Sequence, residues 1–299
     1  MTDTAYRGRF APSPTGPLHF GSLIAAVGSF LDARARGGEW LLRMEDLDPP
    51  REVPGAADNI LRMLEAFGLY WDGEVTYQSQ RHAAYRAALD RLEHMGQTYP
   101  CGCTRQETRA HTGPDGLHRI YPGTCRDGLP PGRTARSVRL RAPDLEVNFN
   151  DRVQGSVSAW LPKQNGDFIL RRADGLFAYQ LAVVVDDADQ GITDIVRGAD
   201  LLDSTCPQIA LQQALGYPTP HYLHLPVVVN EHGEKLSKQT HARPVTANHA
   251  VATLCSALRA LGQPLPDETA NSSLADFWEQ AVAAWQVEHI PKTLKISER

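Results

Sequence analysis

The architecture of this chain follows from residues 9–22, which read Arg-Phe-Ala-Pro-Ser-Pro-Thr-Gly-Pro-Leu-His-Phe-Gly-Ser. These residues lead from a short apolar strand through a turn rich in Pro and Gly into a helix. Such a turn presents backbone N–H groups and the positive end of a helix, so we expect it to bind a phosphate group. His19 can donate a hydrogen bond to a phosphate oxygen. Gly21 has no side chain that would keep a nucleotide away from the backbone.

Alternating helices and strands surround this turn. Apolar residues at helical spacing over 23–31, followed by the buried run 40–44, predict a strand-helix-strand unit. The same reasoning gives later helices and strands: helices over 54–67, 79–95 and 204–215, and strands over 192–196 and 225–229. Residues 181–185 fit either a strand or a buried helix. The alternation predicts an α/β fold with its ligand turn at the carboxyl end of the first strand.

A second segment carries complementary charge. Residues 235–239 read Lys-Leu-Ser-Lys-Gln, and they follow Gly233 in a polar loop after a predicted strand. The ammonium groups of Lys235 and Lys238 can both reach a triphosphate in this arrangement. Together with the first turn, the lysines indicate an ATP site.

Both segments resemble the two signatures of class I aminoacyl-tRNA synthetases. Three further stretches, 9–16, 43–48 and 197–200, make the chain similar to the glutamyl-tRNA synthetases up to about residue 240. The resemblance implies a Rossmann-like catalytic domain over 1–240, including an acceptor-binding region up to about 190. It also implies that L-glutamate is activated with ATP and Mg²⁺, with His19, Lys235 and Lys238 as catalytic residues. ATP would be bound by four residues: His19, Gly21, Ser22 and Lys238.

Glutamate carries one ammonium and two carboxylates, so its pocket needs a carboxylate and a guanidinium. The planar fork of Arg9 can hold the substrate side-chain carboxylate in two parallel bonds. Glu45, at the end of a predicted strand, can pair with the substrate ammonium. The resemblance adds Ser13, Tyr179 and Arg197 to this pocket.

Three of the five cysteines lie close together in an insertion over 97–136. Cys101, Cys103 and Cys125 are spaced as in a metal site, and zinc suits thiolate ligands best. The residues leave three candidates for the fourth ligand of this structural Zn²⁺: Tyr121, His118 and His111. The resemblance favours Tyr121, because small relatives of the glutamyl synthetases carry Cys-x-Cys followed by Tyr-x-x-x-Cys.

Only residues 241–299 follow the lysine segment, and patterns near 254–261 and 277–287 predict two helices at most. We expect a short helical C-terminal segment without an anticodon-binding domain. The chain therefore resembles a truncated branch of the family, the glutamyl-Q tRNA(Asp) synthetases, which transfer glutamate to the queuosine base in the anticodon of tRNA(Asp). Three alternatives stay open: a glutamyl-tRNA synthetase that charges a tRNA 3′ end, an adenylate-forming ligase without an RNA partner, and a non-catalytic glutamate- or RNA-binding paralogue.

The amino-acid composition is typical of a globular protein and gives no indication of a membrane-spanning helix. Hydrophobic residues make up 42% of the 299 residues, and no apolar run approaches the roughly 20 residues of a membrane helix. We expect a cytoplasmic monomer with no membrane partner. The net charge of −5 gives no general basic field, so RNA must be held by local clusters of Arg and Lys.

Overall fold

The computed structural model describes these parts of the chain: residues 5–109, 120–230, 233, 244–266 and 273–297. The α-helices of this part are α1 (Phe20–Ala35), α2 (Ala56–Ala66), α3 (His82–His94), α4 (Arg105–Arg109), α5 (Leu161–Gln164), α6 (Tyr179–Asp189), α7 (Leu202–Leu215), α8 (Ala250–Ala260) and α9 (Leu274–Ala283). The strands are β1 (Arg7–Phe10), β2 (Glu39–Met44), β3 (Thr76–Tyr77), β4 (Thr98–Cys101), β5 (Ser137–Leu140), β6 (Glu146–Asp151), β7 (Gly155–Trp160), β8 (Ile169–Arg171), β9 (Asp194–Gly198), β10 (His221–Leu225), β11 (Val227–Val229) and β12 (Lys295–Ser297).

Two sheets contain most of the parallel strand pairs in the described part of the chain. In the first sheet β1, β2 and β3 are parallel, and α1 connects β1 to β2. In the second, β9 and β10 are parallel, and β6 lies beside β10 with the β7 hairpin at the edge. The N–H of Thr193 donates to the carbonyl of Arg7 (2.9 Å), so the start of β9 lies against β1. The predicted α/β class is confirmed, and the carboxyl ends of β1, β2 and β9 point to one side.

The main core packs α1 between this sheet and the C-terminal helices. Trp40 of β2 is fully buried, and its ring packs edge-on against Phe30 of α1. On the other side of Phe30 lies Trp278 of α9, with ring centroids 4.9 Å apart. Leu258 of α8 belongs to the same cluster. The helices α8 and α9 therefore share the main hydrophobic core, while the predicted division at about residue 240 stays a prediction.

A second hydrophobic cluster contains residues 181–185, for which the sequence left strand and buried helix open. These residues form part of α6, which packs against α3 and α7 and is buried on nearly every face. Continuous burial removes the amphipathic period that marks a helix, and the three consecutive valines favour a strand by local propensity. Tertiary packing decides for the helix.

Several predicted boundaries were wrong by a few residues, and three of them have a clear physical reason. The helix predicted from residue 79 begins at His82, because Ser79 lies in a 3₁₀ turn and donates its hydroxyl to Asp46 (2.6 Å) instead of capping α3. The strand predicted over 225–229 is divided between β10 and β11, with Pro226 between them. The helix predicted over 277–287 is α9, which begins with a Ser273–Asp276 capping box and ends at Ala283.

β4, at the start of the insertion, belongs to an antiparallel sheet in the order β4-β5-β8, in which β5 and β8 come from the chain after the insertion. In the described part of the chain, no helix has both the length and the apolar character that crossing a bilayer requires.

Candidate active site

A cleft of ≈ 640 Å³ opens at the carboxyl ends of β1, β2 and β9. The ligand-binding edge of a parallel sheet is expected at this position. The structure brings all eight candidate pocket residues that it describes to the wall of this cleft: Arg9, Ser13, His19, Gly21, Ser22, Glu45, Tyr179 and Arg197.

His19 caps the first turn of α1. Its Nδ1 accepts the backbone N–H of Ser22 (3.2 Å), and its Nε2 lies 2.9 Å from the Ser22 hydroxyl. Because Nδ1 accepts, the proton of the neutral ring is on Nε2, which can donate. In this arrangement the ring N–H is donated to the Ser22 hydroxyl, whose own proton can then be donated to a phosphate at the positive end of the helix.

Lys235, Lys238 and Gln239 lie outside the described residues. The described residues before and after this segment lie at or next to the cleft. Val227 and Val228 of β11 line it, and the N–H of Val245 donates to the carbonyl of Leu18 (3.0 Å), directly before His19. The described residues that precede and follow the lysine segment therefore lie close to the turn before α1.

The fork of Arg9 is not fully open to a ligand. Its Nε and Nη2 donate to the two oxygens of Asp187 (3.0 and 3.3 Å), and both side chains are buried. Burial opposes ionisation of Asp187, but the charges of Arg9 and Arg43 prevail and lower its pKa. A substrate carboxylate would therefore bind the remaining edge of the guanidinium, which carries Nη1. The pairing of Arg9 with Asp187 was not predicted from the sequence.

Glu45 is a carboxylate with little solvation. Its side chain is 11% exposed, and its nearest cation is Nη2 of Arg43, at 3.7 Å. Burial raises the pKa of Glu45 to about 7, although the charges of Arg43 and Arg9 oppose the shift. A buried carboxylate that is this costly to ionise is suited to a cationic guest.

Arg197 is the penultimate residue of β9, and the residue as a whole is 5% exposed. Its donors reach Nε2 of His224 (3.1 Å), Oε1 of Gln208 (2.8 Å) and Oγ1 of Thr205 (2.8 Å). Among the described residues these hydrogen-bond partners, with the carbonyl of Leu201, carry no formal charge. The site thus holds a buried cation that an anionic ligand would stabilise.

Tyr179 is the first residue of α6 and lies near both guanidiniums. Burial raises its pKa, against the opposing charge of Arg197. The backbone carbonyl of Ser13 accepts the N–H of Thr15 (2.8 Å), which tightens the turn that forms one wall of the cleft.

The three cysteines of the insertion meet. The Sγ atoms of Cys101, Cys103 and Cys125 lie within 4.8 Å of one another, with Cys103 and Cys125 at 3.7 Å. The hydroxyl of Tyr121 lies 3.4 Å from Cys101 Sγ and 3.6 Å from Cys103 Sγ. Zn–S bonds of about 2.3 Å and Zn–O bonds of about 2.0 Å place tetrahedral ligands about 3.7 Å (S···S) and about 3.5 Å (S···O) apart. The cluster is therefore compatible with zinc, while His111 and His118 lie outside the described residues.

Two arginines compensate the charge of this cluster. Arg139 lies over the ring of Tyr121 (3.7 Å to the centroid), and Nη1 of Arg133 is 3.8 Å from Cys103 Sγ. Burial favours the neutral thiol of Cys101, but hydrogen bonds from Tyr121 and Arg139 outweigh it and lower the pKa to about 7. A thiol that ionises near neutral pH is prepared to bind a metal.

Comparison with known proteins gives a consistent result. The model of the family described as tRNA synthetases class I (E and Q), catalytic domain, matches residues 5–252. The chain is 59% identical over 293 residues to a Dechloromonas aromatica (strain RCB) protein named glutamyl-Q tRNA(Asp) synthetase, and the match covers 97% of each. A protein of the same name from Chromobacterium violaceum is 58% identical over 293 residues, again with 97% of each covered.

A solved structure has the same fold. It is a glutamate tRNA ligase from Elizabethkingia meningosepticum in complex with its amino acid, and it superposes with a TM-score of 0.79 at 26% sequence identity. The match covers 99% of this chain and 68% of that one.

Proposed function

Because the chain belongs to the class I tRNA synthetases (E and Q), we propose that it activates L-glutamate with ATP in the cleft and transfers it to the queuosine base of tRNA(Asp). The protein is a ligase that activates glutamate and transfers it to tRNA. Beyond this activity, we propose that the acceptor is the modified anticodon base, and we propose a role for each of the site residues.

The assignment of glutamate as the substrate bound in the cleft rests on charge complementarity. The cleft presents two guanidiniums, Arg9 and Arg197, and the carboxylate of Glu45. Glutamate brings two carboxylates and one ammonium, which is the opposite set of charges. Arg9 would hold the side-chain carboxylate, Arg197 the α-carboxylate, and Glu45 the ammonium, with Ser13 and Tyr179 completing the pocket. Bidentate guanidinium contacts give such a site its geometry.

The first step is in-line attack of the α-carboxylate on the α-phosphorus of ATP. A new O–P bond forms as the bond to the leaving pyrophosphate breaks, which gives glutamyl-adenylate. Positioning and fixed donors supply most of the rate in such transfers. His19, Gly21 and Ser22 would hold phosphate at the start of α1. Lys238, supported by Lys235, would neutralise charge on the departing pyrophosphate, and Mg²⁺ would enter with ATP.

In the second step a hydroxyl of the queuosine cyclopentenediol attacks the carbonyl carbon of the mixed anhydride. An ester bond forms and AMP leaves. The relatives at 59% and 58% identity carry the name that corresponds to this acceptor, which supports the proposal.

The cluster in the insertion would hold a structural Zn²⁺ through Cys101, Cys103, Tyr121 and Cys125. The ion would join the end of β4 to the loop over 121–125. We also propose that the protein acts as a monomer in the cytoplasm.

One labelling experiment separates the candidate acceptors. The protein is incubated with labelled glutamate and ATP, and with either queuosine-containing tRNA(Asp) or the same tRNA without the modification. We expect base-labile label on the modified tRNA alone. Label on both tRNAs would favour charging of the 3′ end, and product formed without tRNA would favour a small-molecule ligase. Absence of any glutamate-dependent product would refute the proposed function.

A further inference from the structure

Two buried residues outside the proposed ligand contacts hold Arg197 in place. Nε of Arg197 lies 3.1 Å from Nε2 of His224, and Nδ1 of His224 lies 2.6 Å from Oδ2 of Asp151. The exposed fractions are 0% for His224 and 4% for Asp151. The three side chains form a line from the end of β6, through β10, to the cleft at the end of β9.

Hydrogen-bond chemistry fixes the tautomer of His224. Arg197 has only donors, so Nε2 of His224 must offer its lone pair. The ring proton is then on Nδ1, from which it is donated to Asp151. A neutral ring in the opposite tautomer would place an N–H against the Nε–H of Arg197. Burial and the charge of Arg197 lower the pKa of His224 against the influence of Asp151, which keeps the ring neutral.

Asp151 is itself rigidly held. Its Oδ1 accepts the backbone N–H groups of Val153 (3.0 Å), Gln154 (2.8 Å) and His224 (3.2 Å). Only Oδ2 faces the imidazole. The Asp151 carboxylate is therefore held in one position. It orients the His224 ring, and the ring in turn orients the Arg197 guanidinium.

We propose that Asp151 and His224 are positioning residues, which set the His224 tautomer and so aim the Arg197 guanidinium at a carboxylate of glutamate. The inference rests on the proposed function for the identity of this ligand. Thr205 and Gln208 of α7 also accept from Arg197, at Nη2 and Nη1 respectively, and the Thr205 hydroxyl lies 3.2 Å from Nε2 of His224. The Arg197 guanidinium is thus already oriented before a ligand binds. The affinity for glutamate depends on this preorganisation.

Asp151→Asn tests the proposal. The amide oxygen can still accept the backbone N–H groups, while its NH₂ group faces Nδ1 and favours the tautomer with the proton on Nε2. Two donors then face each other between His224 and Arg197. We expect the KM for glutamate in ATP–pyrophosphate exchange to rise at least tenfold, with kcat within twofold of wild type. In ¹⁵N spectra of histidine-labelled protein, the protonated ring nitrogen of His224 should change from Nδ1 to Nε2.

His224→Gln and Asp167→Asn serve as comparisons. The Gln side chain can offer Oε1 to Arg197, so its KM should stay nearer to wild type than that of Asp151→Asn. Asp167 is another buried carboxylate, bound by Tyr99, Arg126 and Ala142 outside the cleft, and its Asn variant should keep the wild-type KM.

The proposal is overturned if wild-type His224 carries its proton on Nε2, a result that needs no variant to fold. It is also overturned if Asp151→Asn keeps the wild-type KM, or if Asp167→Asn raises the KM equally. A wild-type protein without glutamate-dependent exchange would instead refute the proposed function, and the two failures are therefore distinguishable.

Discussion

Replacing Glu45 by Gln should stabilise the protein in the absence of glutamate and at the same time weaken glutamate binding. Burial raises the pKa of Glu45 from its ordinary value of 4.5 to about 7. This difference corresponds to a destabilisation of the ionised form by about 3 kcal/mol. Because the folded protein holds the proton more tightly than the unfolded chain, the penalty is absent below the ordinary pKa, grows as the pH rises, and is complete above about pH 7.

Gln has nearly the same shape and cannot ionise. At pH 8 the variant should therefore be more stable than wild type by up to about 3 kcal/mol, and at pH 4.5 the difference should become small. Gln also cannot form an ion pair with the substrate ammonium. Losing one charge of a buried pair costs about 2 kcal/mol or more, so the KM for glutamate should rise about 30-fold or more.

Urea unfolding at pH 4.5 and pH 8, together with ATP–pyrophosphate exchange at varied glutamate, measures both effects. The matched control is Glu65→Gln on the exposed face of α2, which should change neither quantity. A Glu45→Gln variant that is less stable than wild type at pH 8 would refute the argument from desolvation. A variant with the wild-type KM would show that Glu45 does not contact the ammonium.

Three further changes test other parts of the molecule. Cys103→Ser should reduce zinc from about one ion per chain to a small fraction, as measured by elemental analysis, and wild-type protein purified without zinc would contradict the metal site. Lys238→Ala should lower ATP–pyrophosphate exchange by about 100-fold or more with an unchanged circular dichroism spectrum, and an unaltered rate would exclude its role. Leu258→Ala, in α8, should cost about 2–5 kcal/mol in urea unfolding, since this side chain is 1% exposed within the main core. A cost near zero would mean that the C-terminal helices contribute little to that core.

Some residues of the cleft were predictable because they follow local patterns, whereas Ser13, Tyr179 and Arg197 came from the resemblance to the glutamyl-tRNA synthetases. The turn before α1 combines Pro, Gly and a capping His within a few positions, and Glu45 directly follows a buried strand. The carboxyl ends of parallel strands meet at one edge, so such residues converge once the strands are identified. The alternation of strands and helices in the sequence was sufficient to identify those strands.

The partners of the cleft residues were not predictable. Asp187 is 178 positions from Arg9, and His224 is 73 positions from Asp151, so no local spacing links them. The sequence also offers several acidic residues at strand ends, and nothing local separates Asp187, which is buried against two arginines, from a solvated one. Contacts of this range depend on how α6 and β10 pack.

A crystal structure with a non-hydrolysable glutamyl-adenylate mimic tests most directly whether this cleft is the catalytic site. We predict density in the cleft, with the side-chain carboxylate on Arg9, the α-carbonyl directed at Arg197, the ammonium on Glu45, and the phosphate at the start of α1 beside His19. A ligand bound elsewhere on the molecule, or bound in the cleft with its ammonium directed at the guanidiniums, would contradict the account.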